Sequence, residues 1–261
     1  LILKTLQHVF GSPNVEIISE INDFKILSQK LSLKSKKLTQ GKSIFLISNK
    51  IDWNIEWVNK TVHKIEELNT IDSNIAVVFL ADPFRLWKIM DDWHKLSEIG
   101  AQILYLHPWR EPALRQWLTD SPIGSLSADI RNKISKTTGN WQFLLQKVLE
   151  KADGGKIDER TLAEFETEWF DNKSNLLKLK KMFGLTILGN YNIFKIMVEL
   201  DDEMNADDII ELSDGLFHAG NRKEIEKTFL WASNLDLMTV HRGYRLDRIV
   251  AKIITRLASQ D

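Results

Sequence analysis

The first 118 residues alternate between short apolar runs and longer segments whose apolar side chains have helical spacing, and this alternation constrains the fold most. The runs are rich in β-branched and aromatic residues, which favours strands over helices. Such alternation predicts strand–helix–strand units and a parallel sheet covered by helices. The predicted strands are Ser43–Ser48, Ile75–Ala81 and Gln102–Leu106, with a further one at Asn14–Ser19.

Helical spacing between these runs predicts helices at Asp23–Leu38, Ile55–Leu68 and Phe84–Ile99. The last of them ends at Gly100, a residue that readily adopts the left-handed conformation found at helix ends. The fold class predicted for this part is therefore α/β, with a partial parallel sheet and flanking helices.

From Pro112 onward the sequence predicts helices alone as far as Gly184. They are Ala113–Leu118, Ser127–Lys136, Trp141–Lys151 and Glu159–Phe170. A third region then has the order helix, helix, helix, hairpin, helix, at Asn192–Leu200, Ala206–Leu212, Arg222–Leu235, Leu237–Leu246 and Asp247–Leu257. Three short helices followed by a β-hairpin predict a winged helix-turn-helix.

The change of pattern along the chain predicts three domains. Residues 1–118 form the α/β region, residues 119–184 a helical region, and residues 185–261 the winged-helix domain. Gly139 is expected to be a structural turn residue before a helix, and Trp141 is expected to pack the helical region against the α/β part. Trp109, next to Pro108 at a predicted strand end, occupies a position where open α/β sheets bind ligands.

Composition narrows the functional classes. A net charge of -1 with 43% hydrophobic residues is typical of a folded soluble protein, and the absence of Cys excludes disulfides and thiolate-bound metals. No apolar run is long enough to cross a bilayer and no secretion signal is visible, which predicts a cytoplasmic protein without membrane contacts. The first residue is Leu1 rather than Met, so we expect a truncated or processed piece whose upstream motifs are missing.

The order of elements, together with four segments, resembles the AAA+ and STAND ATPases, including their origin-recognition branch. The resemblance implies that Ser43–Ser48 corresponds to the Walker B strand and Ile75–Asp82 to the sensor 1 strand. It also implies that Gln102–Leu118 leads into the lid and that Thr137–Lys147 matches the lid motif. What the resemblance implies for function is a nucleotide state coupled to nucleic-acid binding or to assembly.

The sequence departs from that family at the residues that carry the chemistry. A Walker B strand ends in two acids that hold Mg²⁺ and orient the attacking water, whereas this strand ends in Ser48 and Asn49. Asp52 lies beyond the expected position and is interpreted as a helix cap or loop residue. In the lid motif, Trp141 replaces the usual Pro, and Gln142 replaces an Arg that senses the γ-phosphate. Nucleotide sensing by these residues is therefore not expected.

No phosphate-binding loop is predicted within the chain. Gly41, Lys42 and Ser43 supply only the tail of the motif, and Lys36 occupies the position of its first Gly. A strand is predicted to follow them, whereas phosphate loops precede a helix. ATP and Mg²⁺ are consequently expected as cofactors only if a phosphate loop lies upstream of Leu1. The six His residues have no zinc-binding spacing, and we assign neither a catalytic residue nor a metal site.

Two basic patches could bind an acidic partner. The first comprises Lys30, Lys34, Lys36, Lys37 and Lys42; the second lies in the hairpin and last helix and comprises Arg242, Arg245, Arg248, Lys252 and Arg256. Winged helices commonly use the wing to hold phosphates, so Arg242, Arg245, Arg248 and Lys252 are the candidate DNA-binding residues. The third helix mixes Arg222, Lys223 and Lys227 with Glu224 and Glu226, which argues against base-specific readout.

The sequence therefore predicts the C-terminal part of an AAA+/STAND-like ATPase that couples nucleotide state to DNA binding or assembly, without catalysis by this fragment itself. The alternative is a non-enzymatic scaffold with a degenerate ATPase core, whose winged helix docks a protein partner or supports self-assembly. A sequence-specific transcription regulator would need a basic third helix, which the chain lacks.

Overall fold

The computed structural model describes residues 15–19, 23–37, 42–48, 50–69, 74–120, 126–152, 155–200, 203–216 and 222–260. The chain divides into two compact units, Leu1–Ile103 and Leu104–Asp261. The first contains the parallel sheet and the second is mainly helical, so the α/β class predicted from the sequence is confirmed.

Among the described residues, the sheet of the first unit has three strands, β1 (Val15–Ile18), β2 (Lys42–Ile47) and β3 (Asn74–Phe79). All neighbours are parallel and the spatial order is β1-β2-β3, with Ile17 opposite Leu46 and Leu46 opposite Val78. Because parallel neighbours need a crossover, α1 (Phe24–Lys37) and α2 (Ile55–Asn69) connect them. Three of the predicted strands and both connecting helices are thereby confirmed.

One face of the sheet carries the main core of this unit. Phe45 and Ile47 of the central strand are fully buried there, because helices cover them. Leu27 and Leu31 of α1 are also fully buried in this cluster, at the i, i+4 spacing that places side chains on one helix face. The remaining buried members are Ile18, Ile51, Trp53, Val58, Leu68, Ile75 and Leu96.

The helix predicted at Phe84–Ile99 is interrupted. It consists of α3 (Pro83–Ile89), a 3-10 turn (Met90–Asp92) and α4 (Trp93–Glu98). The Asp82 carboxylate accepts a hydrogen bond from the Arg85 N–H at 2.8 Å, and Pro83 occupies the first helical position. Gly100, with φ of 72°, follows the end of α4 as expected.

The strand predicted at Gln102–Leu106 is wrong. No strand of the described part of the chain pairs with this segment, and Leu104 is 86% exposed. The segment keeps the alternation of an extended chain, since Ile103 packs against the core of the first unit while Leu104 points to solvent. Apolar composition alone indicated a strand, but a strand also needs hydrogen-bonding neighbours.

The second unit begins its regular structure with five helical elements. These are α5 (Glu111–Asp120), α6 (Ala128–Thr138), α7 (Gln142–Ala152), α8 (Glu159–Glu166) with a π-helical turn (Thr167–Asp171), and α9 (Lys173–Met182). Side chains of Ser127, Asp158 and Asn172 cap α6, α8 and α9, which explains where these helices begin. The helix α9 was not predicted from the sequence.

The remaining elements are α10 (Leu188–Leu200), α11 (Ala206–Leu216), α12 (Arg222–Asn234), β4 (Met238–Val240), β5 (Tyr244–Leu246) and α13 (Arg248–Ala258). Their order matches the predicted order of three helices, a hairpin and a helix. The hydroxyl of Thr228 on α12 lies 2.8 Å from the Asn190 side-chain oxygen on α10, and both residues are buried. This buried polar pair holds α10 and α12 in register.

The last helix joins the two parts of the second unit. α13 packs against α9, α10 and the π-helical turn, and its side chains Ile249, Ile253 and Leu257 are buried. Lys252 forms an ion pair with Glu166, and Arg256 forms one with Asp171. Residues on both sides of position 184 thus lie in a single compact unit, while the division into three domains stays a prediction.

Candidate nucleic-acid interface

The hairpin β4–β5 presents the residues predicted to contact DNA. Its strands are antiparallel, with Thr239 opposite Arg245 and Val240 opposite Tyr244. The Tyr244 ring lies 4.5 Å from the Phe229 ring of α12, and Met238 is buried. These apolar contacts fix the base of the hairpin on the helices and leave its tip in solvent.

A third backbone segment holds the other edge of β5. The Met204 N–H donates to the Tyr244 carbonyl at 3.0 Å, and the Tyr244 N–H donates to the Met204 carbonyl at 2.8 Å. A Cβ atom on Gly243 would lie 3.2 Å from the Glu203 and Met204 backbone. Gly243 therefore lies where two chain segments approach closely, and a larger residue there would have to displace the Met204 segment slightly. Neither the Met204 bridge nor this role of Gly243 was predicted, because the sequence carries no local signal for them.

The structure places three of the four candidate residues on the exposed hairpin side. Arg242 lies in the turn, Arg245 in β5 and Arg248 at the first position of α13, and all three are exposed. Within the described residues, neither Arg242 nor Arg248 forms an ion pair with a carboxylate. Their charges are consequently available to an external anion.

Lys252 is placed differently from the arginines. Its ammonium lies 2.8 Å from Glu166 Oε1 and 4.3 Å from the centre of the Phe170 ring, and only 27% of its side chain is exposed. A lysine whose ammonium already contacts a carboxylate and an aromatic face would bind a phosphate only weakly. Its position one turn into an amphipathic helix could have distinguished Lys252 from the arginines in the sequence.

The carboxylate of Asp247 lies between Arg245 and Arg248 in sequence but faces inward. It accepts hydrogen bonds from the N–H groups of Ile249 and Val250 at 2.9 and 3.3 Å, and thereby caps α13. Burial raises the pKa of Asp247, although these backbone hydrogen bonds and the nearby Trp141 indole act to lower it. Because the Asp247 carboxylate faces inward and caps α13, it does not pair with the exposed arginines of the hairpin.

The third helix, α12, offers a poor surface for reading bases. Arg222 is bound to Asp207 of α11 at 2.7 Å and to Glu226 at 2.9 Å, and its pKa is raised chiefly by the hydrogen bond to Glu226. One further turn along, Leu230 is 55% exposed. Base readout in a groove relies on donors and acceptors that are free to meet base edges. The helix thus has the mixed charge predicted from the sequence, and its Arg222 is paired with acids of the protein itself.

The segment around Gly139, which the sequence resemblance compared with a lid motif, forms a tight turn in the second unit. Gly139 has φ of 57° and ends α6, Asn140 follows with φ of 61°, and the Trp141 ring makes an edge contact of 4.9 Å with Phe183. The sequence places Trp141 against the α/β part, whereas its described ring contacts belong to the second unit. Its buried indole N–H makes no hydrogen bond of ordinary geometry, though it lies close enough to Asp247 to affect that pKa.

The carboxyl edge of the sheet holds a cleft of about 360 Å³ in the first unit. Arg85 forms much of its wall: its guanidinium lies 5.2 Å from the centre of the Trp53 ring, donates to the Ile51 carbonyl and approaches Asp52 at 3.5 Å. Trp53 in turn donates from its indole N–H to the Leu80 carbonyl at 3.1 Å. These groups satisfy one another and show no cluster of carboxylates aimed at a metal.

The remaining predicted site residues give no catalytic arrangement. The Ser48 hydroxyl accepts a hydrogen bond from the Lys50 N–H, Asp52 is fully exposed, and Asn49 lies outside the described residues. β2 begins at Lys42, so a strand follows Gly41, as expected for a false phosphate loop. In the described part of the chain, no three His or acidic side chains could hold a metal.

The first basic patch is described only in part. Lys30 on α1 is exposed and lies 3.8 Å from Glu16 on β1. The side chains of Lys34, Lys36, Lys37 and Lys42 lie outside what the structure describes.

Comparison with known proteins finds no family model that matches the chain and no curated protein with detectable sequence similarity. Among the helices that the structure describes, none combines the length and the apolar character needed to cross a bilayer.

Proposed function

We propose that the chain is the C-terminal part of an AAA+/STAND-like ATPase and that its second unit binds duplex DNA through the β4–β5 hairpin. The observation that carries the proposal is the exposure of three arginines on that hairpin and at the start of α13, namely Arg242, Arg245 and Arg248. The element order α10–α11–α12–β4–β5, with Met204 bridged to β5, supports a winged helix.

The proposed mode of binding is to phosphates rather than to bases. Arginines on a hairpin can each pair with a phosphate, and such contacts fix position without reading sequence. The internal pairing of Arg222 and the exposed Leu230 make α12 unsuited to base contacts. We therefore expect weak binding without marked sequence preference, with a Kd near the 10⁻⁴–10⁻⁶ M that is typical of non-specific binders at physiological salt.

The first unit acts in this proposal as a scaffold inherited from the ATPase core. Ser48 stands where the Mg²⁺-binding acids belong, and Asp52 pairs with Arg85 instead. We expect no ATP hydrolysis by this chain in a phosphate-release assay with Mg²⁺. Turnover within the roughly 1–10³ s⁻¹ range typical of enzymes, abolished by a substitution in the chain, would contradict this part of the proposal.

The test of DNA binding is fluorescence anisotropy with labelled duplexes of varied sequence at several salt concentrations. Each phosphate contact contributes about -0.9 to the slope of log affinity against log salt concentration. The double substitution Arg242→Glu with Arg245→Glu should therefore flatten the slope by roughly 2 and lower the affinity for every sequence alike.

The matched control reverses two exposed lysines elsewhere in the second unit, Lys136 on α6 and Lys156 before α8. Lys136→Glu with Lys156→Glu changes the net charge equally at lysines that belong neither to the hairpin nor to α13, so its slope should equal that of the unaltered chain. If no duplex binds at low salt, or if both double variants flatten the slope equally, the hairpin is not the DNA-binding surface.

The second candidate function is protein docking by the same domain on a non-enzymatic scaffold. The observation that favours it is the pair of exposed apolar side chains Leu230 on α12 and Val240 on β4, which are 55% and 56% exposed. A docking domain would lose its partner on Leu230→Ser and Val240→Ser but would show no duplex binding that depends on Arg242. The anisotropy measurement therefore separates the two functions.

A further inference from the structure

A second exposed basic surface lies on α9 and consists of residues other than those discussed for the hairpin. Lys173, Lys178 and Lys181 are exposed on this helix, while Leu176 and Leu179 on its other side are fully buried. At roughly 100° per residue, the three lysines fall within one half of the helix circumference. We call Lys173, Lys178 and Lys181 the α9 lysines.

The α9 lysines lie on two adjacent rows of the helix surface. Lys173, Leu177 and Lys181 follow one i, i+4, i+8 row, and Ser174, Lys178 and Met182 follow the next. With a rise of about 1.5 Å per residue, Lys173 and Lys181 are about 12 Å apart along the axis. The surface is therefore a short strip of positive charge rather than a pocket.

No acidic side chain belongs to this strip. Residues 172–198 contain five lysines and neither Asp nor Glu. The nearest preceding acids are engaged elsewhere, Asp171 with Arg256 and Glu168 with Lys151. Lys180, on the flank of the helix, lies over the Tyr191 ring at 4.2 Å, and Lys178 donates to the Asn175 side-chain oxygen at 2.9 Å. Among the described residues, Lys173 and Lys181 form no ion pair.

Charge complementarity indicates the kind of partner. A strip with three positive charges and no acid on its helix suits a continuous polyanion, whose phosphates repeat along a line. Compact ammonium groups without Arg forks favour phosphate contacts over planar recognition of carboxylates. An anionic bilayer fits less well, because only Leu177 and Met182 are exposed apolar side chains here, at 48% and 40%, and the main apolar face of α9 is buried in the protein.

We propose that the α9 lysines form a second contact surface for the phosphate backbone of duplex DNA, in addition to the hairpin. This inference rests on the proposed DNA binding but concerns different residues. α9 packs against α13, the helix that begins at Arg248, so one body carries both surfaces. A duplex that contacts both releases counterions at both, and their contributions to the salt slope add.

The experiment compares three binding-surface variants of the full chain and one charge control by anisotropy with one labelled duplex. Lys178→Glu with Lys181→Glu should flatten the log–log salt slope by roughly 2 and weaken binding about 10- to 100-fold at low salt. The hairpin variant Arg242→Glu with Arg245→Glu should flatten it by a similar amount, and the fourfold variant by the sum. Lys136→Glu with Lys156→Glu is again the control for net charge. Far-UV circular dichroism checks that each variant is folded.

The outcomes distinguish this inference from the proposed function. If the hairpin variant loses slope and the α9 variant does not, the α9 surface is excluded while DNA binding stands. If only the α9 variant loses slope, α9 binds DNA and the hairpin does not. Equal effects of the α9 variant and the charge control overturn the inference, because the effect is then one of net charge.

Leu177→Ser separates DNA from a lipid surface as the partner. Since a phosphate contact does not use the leucine side chain, this variant should bind the duplex within about twofold of the unaltered chain. Vesicles with 30 mol% phosphatidylserine serve as the second probe. If the chain binds these vesicles, and both Leu177→Ser and the α9 variant abolish that binding while duplex affinity is unchanged, the α9 surface is a membrane contact and the inference is wrong.

Discussion

The two units are stabilised by contacts of different range along the chain. In the first unit, strands that follow one another in sequence lie side by side, and each connecting helix covers the strands it joins. In the second unit, the last helix reaches back to Glu166, 86 residues earlier, and to Asp171. The fold of the first unit is therefore determined by elements that are neighbours in sequence. The fold of the second unit depends on contacts between distant residues, which local sequence patterns do not predict.

The largest expected effect is at Trp53 in the first unit, and Trp141 is its counterpart in the second. Trp53 is buried, contacts the Phe79 ring at 5.0 Å and donates a hydrogen bond, so Trp53→Ala should lower the free energy of unfolding by about 3–5 kcal/mol. Trp141 is only half-buried, and Trp141→Ala should cost about 2–3 kcal/mol. Chemical denaturation measures both values.

Hydrogen exchange resolved by peptide shows where each loss occurs. Trp53→Ala should reduce protection mainly in peptides from residues 42–103, and Trp141→Ala mainly in peptides from residues 126–260. An unchanged midpoint for Trp141→Ala would show that its indole does not stabilise the second unit.

Each unit has a glycine in the left-handed conformation at the end of a helix. Gly139 has φ of 57°, and a Cβ atom there would lie 2.6 Å from Ile249 Cγ1 and 3.1 Å from the Trp141 ring. Gly100 has φ of 72° with nothing within 4 Å of the same atom. Gly139→Ala should therefore cost about 2–4 kcal/mol, from backbone strain plus steric overlap, and Gly100→Ala about 1 kcal/mol, from strain alone.

Thermal or urea unfolding of the two alanine variants gives the difference directly. Equal costs at the two positions would mean that α13 moves aside without loss, and the contact between Ile249 and the turn would not stabilise the second unit.

Two capping aspartates test whether the second unit buries charge where α13 begins. Burial raises the pKa of Asp247, so its contribution to stability is present below the unfolded-state pKa and is lost as pH rises through the folded-state pKa. Asp247→Asn keeps an acceptor for the cap but cannot ionise. Relative to the unaltered chain, this variant should gain stability as pH is raised from 3 to 7.

Asp158 at the start of α8 is the matched control with the opposite sign. Hydrogen bonds from the Thr161 N–H and hydroxyl lower its pKa, so its contribution is present above the unfolded-state pKa and is lost as pH falls. Asp158→Asn should therefore lose stability relative to the unaltered chain as pH rises. Urea midpoints at several pH values measure both trends, and parallel trends would refute the burial of Asp247.

The smallest expected effect concerns ion pairs. Lys252 and Glu166 are distant in sequence and partly shielded beside Phe170, so a double-mutant cycle should give a coupling of about 0.5–1 kcal/mol. Glu56 and Lys60 form an exposed i, i+4 pair on α2, for which about 0.3–0.5 kcal/mol is expected. A coupling for Lys252 and Glu166 below that of the helical pair would show that the long-range connection is held by apolar packing alone.

Sequence reasoning succeeded where a residue's neighbours in the chain determine its structure. The runs at Ser43–Ser48 and Ile75–Ala81 are strands, and the end of α4 near Gly100 is where the glycine indicated it. It was wrong at Gln102–Leu106, because an apolar run has the composition of a strand without showing whether a neighbouring strand is available. The helix α9 was missed because its lysines hide the spacing of Leu176 and Leu179.

The sequence predicted which basic residues belong to the candidate site, but not which of them are already paired within the protein. Arg242, Arg245 and Arg248 could be read from the sequence, since a hairpin followed by a helix exposes its turn and its first helical residue. The engagement of Lys252 could not, because Glu166 and Phe170 are far away in the chain. Whether a basic residue can bind an external anion depends on its neighbours in the folded structure, which a count of charges in the sequence does not include.

The bridge at Met204 also affects how the hairpin behaves at high protein concentration. Because Met204 pairs with Tyr244, β5 has a backbone neighbour on each side at that residue, and β4 on the other side of the hairpin has only three residues. Short edges are poor templates for strands of other molecules. The hairpin can therefore extend into solvent with little tendency to recruit a second copy into a shared sheet, and so to aggregate.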